Sequence, residues 1–390
     1  MRCCTLFPGV MNIVTHTGST HTTSAQTVPA QARSAQTVSA QALSGRLDLS
    51  RRYALPFGTR VLERGPGSVQ IGTDAPRCVV VRNAPDGAVR ILSSIDGSTA
   101  LRDVLAGQRA DPAAWSRLLD QLLVAGVLVP SEAGSGGSAM TVGAHLADER
   151  AALTHRYGHP AATRILQARD DALVVIRGTS PAAQAITAHL AAAGVGHLHQ
   201  DRVDPSDWLP GSADRQPAEV AGEARPPDVT AELRARYPTL RVHTPAAHQH
   251  PTLVVMVGGA VPDLAVAAGY SRGSTPHLSV ATGMARTVVG PLVLPGRSSC
   301  LSCVHRHRTA ADPAWPTVAS QLNGVPHQVP VFLLTAAACL AVGQVLEHVD
   351  GICRPSTVNG TLEWRQGDPT ARRRSWTQHP ECGCRAMALR

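Results

Sequence analysis

Residues Pro291 to His305 read P-L-V-L-P-G-R-S-S-C-L-S-C-V-H, and this stretch decides the reading of the fold. Cys300 and Cys303 form a C-x-x-C pair, and a second pair, Cys382 and Cys384, stands in H-P-E-C-G-C. Four thiolates in two close pairs complete a tetrahedral zinc shell, because each short spacing lets one turn aim two sulfurs at a common point. A closed shell leaves no open position, so such a zinc holds structure and does not catalyse. It would tie the end of the chain to the middle of its last domain. Unpaired structural thiols or a redox dithiol are the competing readings, and two pairs within one domain favour zinc. His305, His307 and His379 lie close by in sequence, but four cysteines already fill the shell.

At 390 residues the chain has room for two or three domains. Hydrophobic residues make up 43% and aromatics only 3%, so the core must rest on Ala, Val and Leu. All 36 basic residues are arginines, and the absence of lysine excludes any mechanism that needs one. The net charge of +8 includes the run Arg372, Arg373 and Arg374. It fits a solvated arginine surface or an acidic peptide partner. Without a basic helix carrying interleaved aromatics, nucleic-acid binding ranks low. Of the nine cysteines, Cys3, Cys4, Cys78, Cys339 and Cys353 lie outside the zinc proposal. An odd remainder argues against a disulfide framework, and a reducing cytoplasm is the expected setting. Cys339 and Cys353 fall within or just after an apolar helical stretch and are expected to be core or near-core thiols. No apolar run is read as reaching membrane length. The start M-R-C-C-T-L-F-P-G-V-M-N-I-V makes a poor signal peptide.

Residues 1–50 read as a disordered, low-complexity extension, in which S-A-Q-T-V-P-A-Q-A-R (Ser24–Arg33) recurs as S-A-Q-T-V-S-A-Q-A-L. Residues 51–130 read as a small domain. Arg60–Arg64, Ser68–Gly72 and Cys78–Arg82 are short β-rich runs separated by turn residues. Three helices follow: Ala88–Ile95; Thr99–Ala106, with Ser98 as its cap; and Ala113–Ala125, opened by Asp111 and Pro112. Trp115, Leu118, Leu119, Leu122 and Leu123 share one face of the last helix, and Val127–Val129 returns as a strand. Three strands, three helices and a closing strand make a winged helix of the α+β class.

Residues 131–143 form a Gly/Ser linker, and residues 144–390 a second, α/β domain. Two helical pieces up to residue 170 lead to a βαβ unit: the strand A-L-V-V-I-R from Ala172, the turn Gly178-Thr179-Ser180-Pro181, the helix Ala182–Ala193, and the strand V-G-H-L-H-Q. Later elements are a helix at Asp228–Tyr237, the strand Thr252–Val257, a helix at Leu264–Tyr270, and strands at Pro276–Val280 and Thr287–Gly296. A long helix, Phe332–Val349, ends at Asp350-Gly351, and T-V-N-G-T-L-E-W reads as a strand pair.

In its I-L-S-S-I-D-G-S-T run and its A-G-V-L-V ending, the small domain resembles the PqqD-like domains that recognise precursors of ribosomal peptide products. That resemblance implies a leader peptide added as a strand. The groove would be Cys78, Val79, Val80, Val81 and Arg82 on the strand, with Trp115 and Leu119 on the helix. A winged helix used only for packing or dimerisation is the alternative. The βαβ unit resembles the Rossmann-like nucleotide-binding unit of the ThiF-type, ubiquitin-activating-enzyme-like superfamily. G-P-L-V-L-P-G-R-S-S-C-L-S-C, D-P-A-W-P and H-P-E-C-G-C together resemble the actinobacterial ThiF-like components of cyclodehydratases that make thiazole/oxazole-modified peptides. Arg297 and Trp315, in these motifs, are read as structural before being read as a partner surface.

An active member of that superfamily adenylates a carboxylate. The resemblance implies a G-x-G-x-x-G phosphate loop, a magnesium aspartate just after the Thr252–Val257 strand, and positive side chains, usually including lysine. This chain keeps only Gly178 of the loop, has Gly258-Gly259 where the aspartate is expected with Asp263 late, and has no lysine. Arginine is not a geometric substitute for lysine at such a site. The expected function is a non-catalytic scaffold that captures a leader peptide and presents it to a YcaO-type enzyme, with structural Zn²⁺, no ATP, and a homodimeric state. The second reading is an adenylyltransferase, with Gly178, Arg177, Arg202 and Asp201 or Asp204 binding nucleotide. A third, a DNA-binding winged-helix regulator, rests only on fold and charge.

Overall fold

The computed structural model describes residues 11–14, 47–56, 58–73, 78–131, 144–201, 229–244, 249–323, 325 and 328–384. The repeat of Ser24–Leu43, Cys3, Cys4, the turn at Asp74–Pro76, nearly all of the linker, and Arg202 and Asp204 lie outside the described residues. The chain divides into two compact units, Met1–Thr163 and Arg164–Arg390.

The first unit contains β1 (Met11–Val14), β2 (Arg52–Ala54), β3 (Val61–Gly65), β4 (Ser68–Ile71), β5 (Val79–Arg82), α1 (Ala88–Ser93), β6 (Asp96–Ala100), α2 (Leu101–Gly107), α3 (Pro112–Val124), β7 (Val129–Pro130) and α4 (Ala147–Tyr157). β3, β4 and β5 form an antiparallel meander, and β2 is flanked by β6 and β7 in a second sheet. Three strands, three helices and a closing strand follow in chain order, but with β6 interposed between α1 and α2. The Asp111 carboxylate accepts the Ala113 N–H at 3.0 Å and Pro112 takes the first helical turn, so α3 starts where its cap residues set it. Its face of Trp115, Leu118, Leu119 and Leu122 is buried with Val79 and Val81 in one core, while Leu123 is only half-buried.

Two readings are corrected here. Ser98 does not cap a helix: its N–H and hydroxyl bind the Asp96 carboxylate at 2.8 and 2.6 Å. The backbone of 96–100 pairs with β2, so α2 opens at Leu101 without a side-chain cap. The turn chemistry of Asp96 competes with the cap and wins. The extension of residues 1–50 is also not wholly without structure, because Met11–Val14 pairs in parallel with β5. Short and flanked by low-complexity sequence, M-N-I-V gives little strand signal by itself; the open edge of β5 supplies the partner.

α5 (His159–Asp171) leads into the second unit. There β8 (Leu173–Arg177), α6 (Pro181–Ala192), β9 (His197–Asp201), α7 (Val229–Arg236), β10 (Leu253–Gly258), α8 (Leu264–Arg272), β11 (His277–Thr282), β12 (Arg286–Val293), α9 (Leu301–Ala311), α10 (Trp315–Leu322), α11 (Val331–Asp350), β13 (Gly360–Arg365) and β14 (Arg372–Ser375) follow. The sheet order is β14-β13-β12-β11-β10-β8-β9. The β9-β8-β10-β11 half is parallel, and β12, β13 and β14 extend it antiparallel. Near-continuous apolar runs such as L-V-V-M-V suit strands covered on both faces. Val174, Ile176, Leu253 and Val255 pack with α6 and α11, whereas Val175, Val254 and Met256 pack with Ala267 of α8 and Leu301 of α9. The result is a three-layer α/β unit.

T-V-N-G-T-L-E-W is one strand, not a pair. Asn359 takes φ +58° in the turn ahead of β13, and the partners are β12 and the arginine-rich β14. α11 also qualifies the membrane reading. With 20 residues and mean hydropathy 1.6, it is long and apolar enough to span a bilayer by length and composition. Its Leu333, Ala337, Ala341 and Val345 are buried, and three of them join the sheet core, which is the placement of a core helix. Cys339 is exposed on the opposite side of α11 and so is not a core thiol, whereas Cys353 is half-buried, in keeping with a near-core place.

Candidate functional site

The first site grows from the end of β12. The backbone leaves the sheet at Leu294, turns through Gly296, and enters α9 with Cys300 at the N-cap and Cys303 one turn inside. The Ser298 hydroxyl accepts the Leu294 N–H at 2.8 Å, and Asn359 Oδ1 accepts the Ser299 N–H at 2.7 Å. These bonds fix the approach to the helix. From the other end of the unit, Cys382 N–H donates to His379 O at 3.0 Å, in a tight turn that sets Cys382 and Cys384 side by side.

The four sulfurs lie within 4.8 Å of one another. Cys300 to Cys303 is 3.7 Å, Cys300 to Cys382 3.6 Å, and Cys303 to Cys384 3.5 Å. A tetrahedral zinc with bonds of about 2.3 Å places its sulfurs about 3.8 Å apart, so the donor set and its spacing fit that ion. Cys300, Cys303 and Cys384 are buried around Val293, and Cys382 is half-buried. The Cys300 thiol donates to Cys303. This bond holds Cys303 down to about 4 and pushes Cys300 above the ordinary thiol range. Burial, followed by the bond with Cys303, pushes Cys384 up to about 12. Four thiolates so close together need a cation to coexist.

The nearby histidines are engaged elsewhere. His305 Nδ1 accepts the Trp315 indole N–H at 3.2 Å, His307 Nε2 is 3.0 Å from Thr377 O, and His379 Nδ1 accepts the Glu381 N–H. Trp315 is thus fixed from within its own unit, and Arg297 is exposed.

The second site is the expected nucleotide crevice at the carboxyl ends of the parallel strands. Gly178 follows β8 with φ +124°, and a Cβ there would lie 2.5 Å from Val257 O. Close packing of β8 against β10 therefore demands this glycine, with or without a phosphate. Gly178→Ala is expected to destabilise the second unit by about 2 kcal/mol or more, read as a lower thermal midpoint with the zinc content unchanged. Pro181 begins α6, and the Ser180 hydroxyl accepts the Ala183 N–H at 3.3 Å, where a phosphate oxygen would otherwise bind. At the end of β9, Asp201 is salt-bridged to Arg177 at 3.1 Å, and Arg177 also donates to the Tyr270 hydroxyl at 3.3 Å. Asp263 accepts the N–H groups of Ala265 and Val266 at 2.8 and 3.0 Å and caps α8. Among the described residues of this crevice, Arg177, Asp201 and Asp263 each already close a contact within the fold.

Beside that crevice a cleft opens past the ends of β10 and β11, lined by Arg286, His305, Arg308 and Trp315. Burial, then the neighbouring Arg308 and Arg306, push His305 down toward its neutral form, which suits a ring nitrogen accepting from Trp315. The Arg308 guanidinium lies 5.0 Å from the Trp315 ring centre, and Arg286 reaches Glu363 at 3.8 Å. Sequence reasoning missed this cleft, because Arg286 and Arg308 are distant in the chain and share no motif.

In the first unit, Val79, Val80 and Val81 are buried, as is Cys78, and Arg82 is exposed. Trp115 and Leu119 lie in the core behind β5. They hold the strand, and its backbone is what an added strand would meet.

No family model matches the chain, and no curated protein matches it. Solved structures do. E. coli MccB with ATP aligns with TM-score 0.54 at 14% identity, covering 85% of this chain and 99% of that one. E. coli MccB with AMPCPP and MccA aligns with TM-score 0.55 at 14% identity over the same shares. The fold is ThiF-like. A heterocyclase in complex with substrate and cofactor aligns with TM-score 0.52 at 13% identity, covering 86% of this chain but 39% of that one. The ThiF-like sheet is the one that carries the cysteine cluster at the end of β12 and the filled crevice at the end of β8.

Proposed function

We propose that this chain is a non-catalytic, leader-peptide-binding scaffold, which presents a ribosomal precursor peptide to a YcaO-type cyclodehydratase for thiazoline or oxazoline formation. The observation that carries the non-catalytic part is the filled crevice. Ser180 caps α6, Arg177 neutralises Asp201, Asp263 caps α8, and the chain offers no lysine to a triphosphate. In acyl or phosphoryl activation, positive groups must be preorganised where charge develops. Freeing them here would break contacts that close the sheet ends. The winged-helix unit is the peptide-recognition part, with Cys78–Arg82 as the receiving strand and Trp115 and Leu119 behind it. Its meander β3-β4-β5 ends on a strand that already accepts a neighbour, which is the geometry strand addition needs. Both co-crystallised MccA and the heterocyclase's substrate belong to those proteins, and they set only the direction of the proposal. In this reading Cys300, Cys303, Cys382 and Cys384 hold structural Zn²⁺, the chain acts as a homodimer in the cytoplasm, and neither membrane nor nucleic acid is a partner.

The second reading is a ThiF-type adenylyltransferase that activates a peptide or sulfur-carrier C-terminus. It is favoured by the cleft of Arg286 and Arg308, whose charge suits an anion. Calorimetric titration of the zinc-loaded protein with ATP, with and without magnesium, separates the two. The scaffold predicts a dissociation constant weaker than about 1 mM in both conditions, equivalent to less than roughly 4 kcal/mol of binding. Magnesium-dependent binding in the micromolar range would refute it and favour adenylation, and pyrophosphate exchange with candidate peptides would then follow.

A further inference from the structure

The receiving edge of β5 is already taken by the chain itself. Met11, Asn12, Ile13 and Val14 lie in register with Val79, Val80, Val81 and Arg82, in parallel, on the side of β5 opposite β4. Without β1 the first sheet would end on β5, whose Val79, Val80 and Val81 are all buried. An apolar edge strand with free N–H and C=O groups pairs readily with any available extended segment. M-N-I-V supplies one: three apolar residues around one asparagine, with two β-branched residues and no charge to oppose the pairing. β1 reaches β5 across a long sequence separation and not through a tight turn, so its pairing is a non-local chain closure. Such a closure is entropically weak compared with a hairpin, which suits a contact made to be displaced.

We propose that Met11–Val14 is a built-in occupant of the peptide-docking edge, competing in cis with an incoming peptide strand. The inference rests on the reading of β5 as that edge. One edge holds one strand, so the bound peptide and β1 exclude each other, whichever direction the peptide runs. The segment thereby shields an apolar edge in the free protein and sets a threshold affinity that a partner peptide must exceed. A tethered competitor raises the apparent dissociation constant of an outside strand by the ratio of its effective concentration to its own constant. With an effective concentration near 1 mM and a constant near 0.1 mM, the factor is about ten.

The test compares the full chain with its Ile13→Pro variant. Proline cannot donate to a ladder, and a chain begun at Gly18 removes the strand altogether. The probe is a fluorescein-labelled synthetic peptide of residues 8–17, P-G-V-M-N-I-V-T-H-T, followed by anisotropy. Amide hydrogen exchange at residues 79–82 is read in parallel. The expected result has three parts. Exchange at 79–82 is slow in the full chain and faster in Ile13→Pro. Added peptide restores protection in the variant. The variant binds the probe about tenfold more tightly than the parent. Equal exchange at 79–82 in parent and variant overturns this inference alone, since the edge is then not held in cis, and peptide docking there is still to be judged on its own. Faster exchange in the variant without recovered protection means the edge takes no strand in trans, and that overturns the docking reading together with the inference. Ile13→Asp, and a chain begun at Gly18, repeat the comparison should proline disturb the fold, which circular dichroism and zinc content report.

Discussion

Replacing Cys303 with serine is expected to abolish stoichiometric zinc and lower the thermal midpoint of the second unit by more than any other single change to the metal site. Cys303 is fully buried and touches both halves of the cluster, at 3.7 Å from Cys300 and 3.5 Å from Cys384. A serine hydroxyl is a poor zinc ligand at neutral pH, and the three remaining sulfurs cannot close the shell. Structural zinc in small peptides contributes about 10–16 kcal/mol of apparent binding energy. Here the sheet has a large core of its own, so the expected loss is smaller, about 4 kcal/mol or more, or a fall in midpoint of roughly 10 °C. Metal analysis and calorimetric melting measure the two effects. A chelator should lower the midpoint of the parent to that of Cys303→Ser and leave the variant unchanged. A redox dithiol would behave otherwise: no bound metal, and a midpoint that follows the reductant.

Asp350→Ala is expected to cost about 3–5 kcal/mol, enough to lower the midpoint by about 10 °C, through a different route. Arg169 is buried at the end of α5. Its guanidinium makes two bonds to Asp350, at 2.7 and 2.9 Å, and a third to Ala193 O at 3.0 Å. Removing the carboxylate takes away two bonds and the opposing charge of Asp350 from a buried cation, and an uncompensated buried charge is far more costly than the pair is stabilising. Asp350 is the last residue of α11, just before Gly351 takes φ +66° and stops the helix. The pair therefore ties the core helix α11 to the end of α5, just ahead of β8. Arg169→Met with Asp350→Leu should recover much of the loss, because an apolar pair replaces both charges together. Failure of the double variant to recover would mean that the carboxylate acts through other contacts. Zinc content should stay at the parent value in both variants, which separates this effect from that of Cys303→Ser.

Much of this arrangement is legible in local residue chemistry. The apolar runs at Leu173–Arg177 and Leu253–Gly258, the Asp111-Pro112 start of α3 and the Gly351 stop of α11 each state their own structure, because strand burial, capping and termination depend on neighbours a few residues away. Asp96–Ala100 misled for the same reason. Its residues look like a helix cap, but a distant strand, β2, claimed the backbone. Cys339 misled because an apolar helix has an outer face, and only packing decides which residues occupy it.

By itself the sequence determined the two-part order of elements, the pairing of C-x-x-C with C-x-C as one donor set, and the degenerate nucleotide loop, since each is a property of residue type and short spacing. The tertiary structure alone decided what fills the places thus left open. Arg177 meets Asp201, Arg169 meets Asp350, Arg286 and Arg308 share a cleft, and Met11–Val14 lies against β5. These partners are brought together by sheet order and chain closure over long separations, and no local pattern of residues encodes which distant group a side chain or a free strand edge will meet.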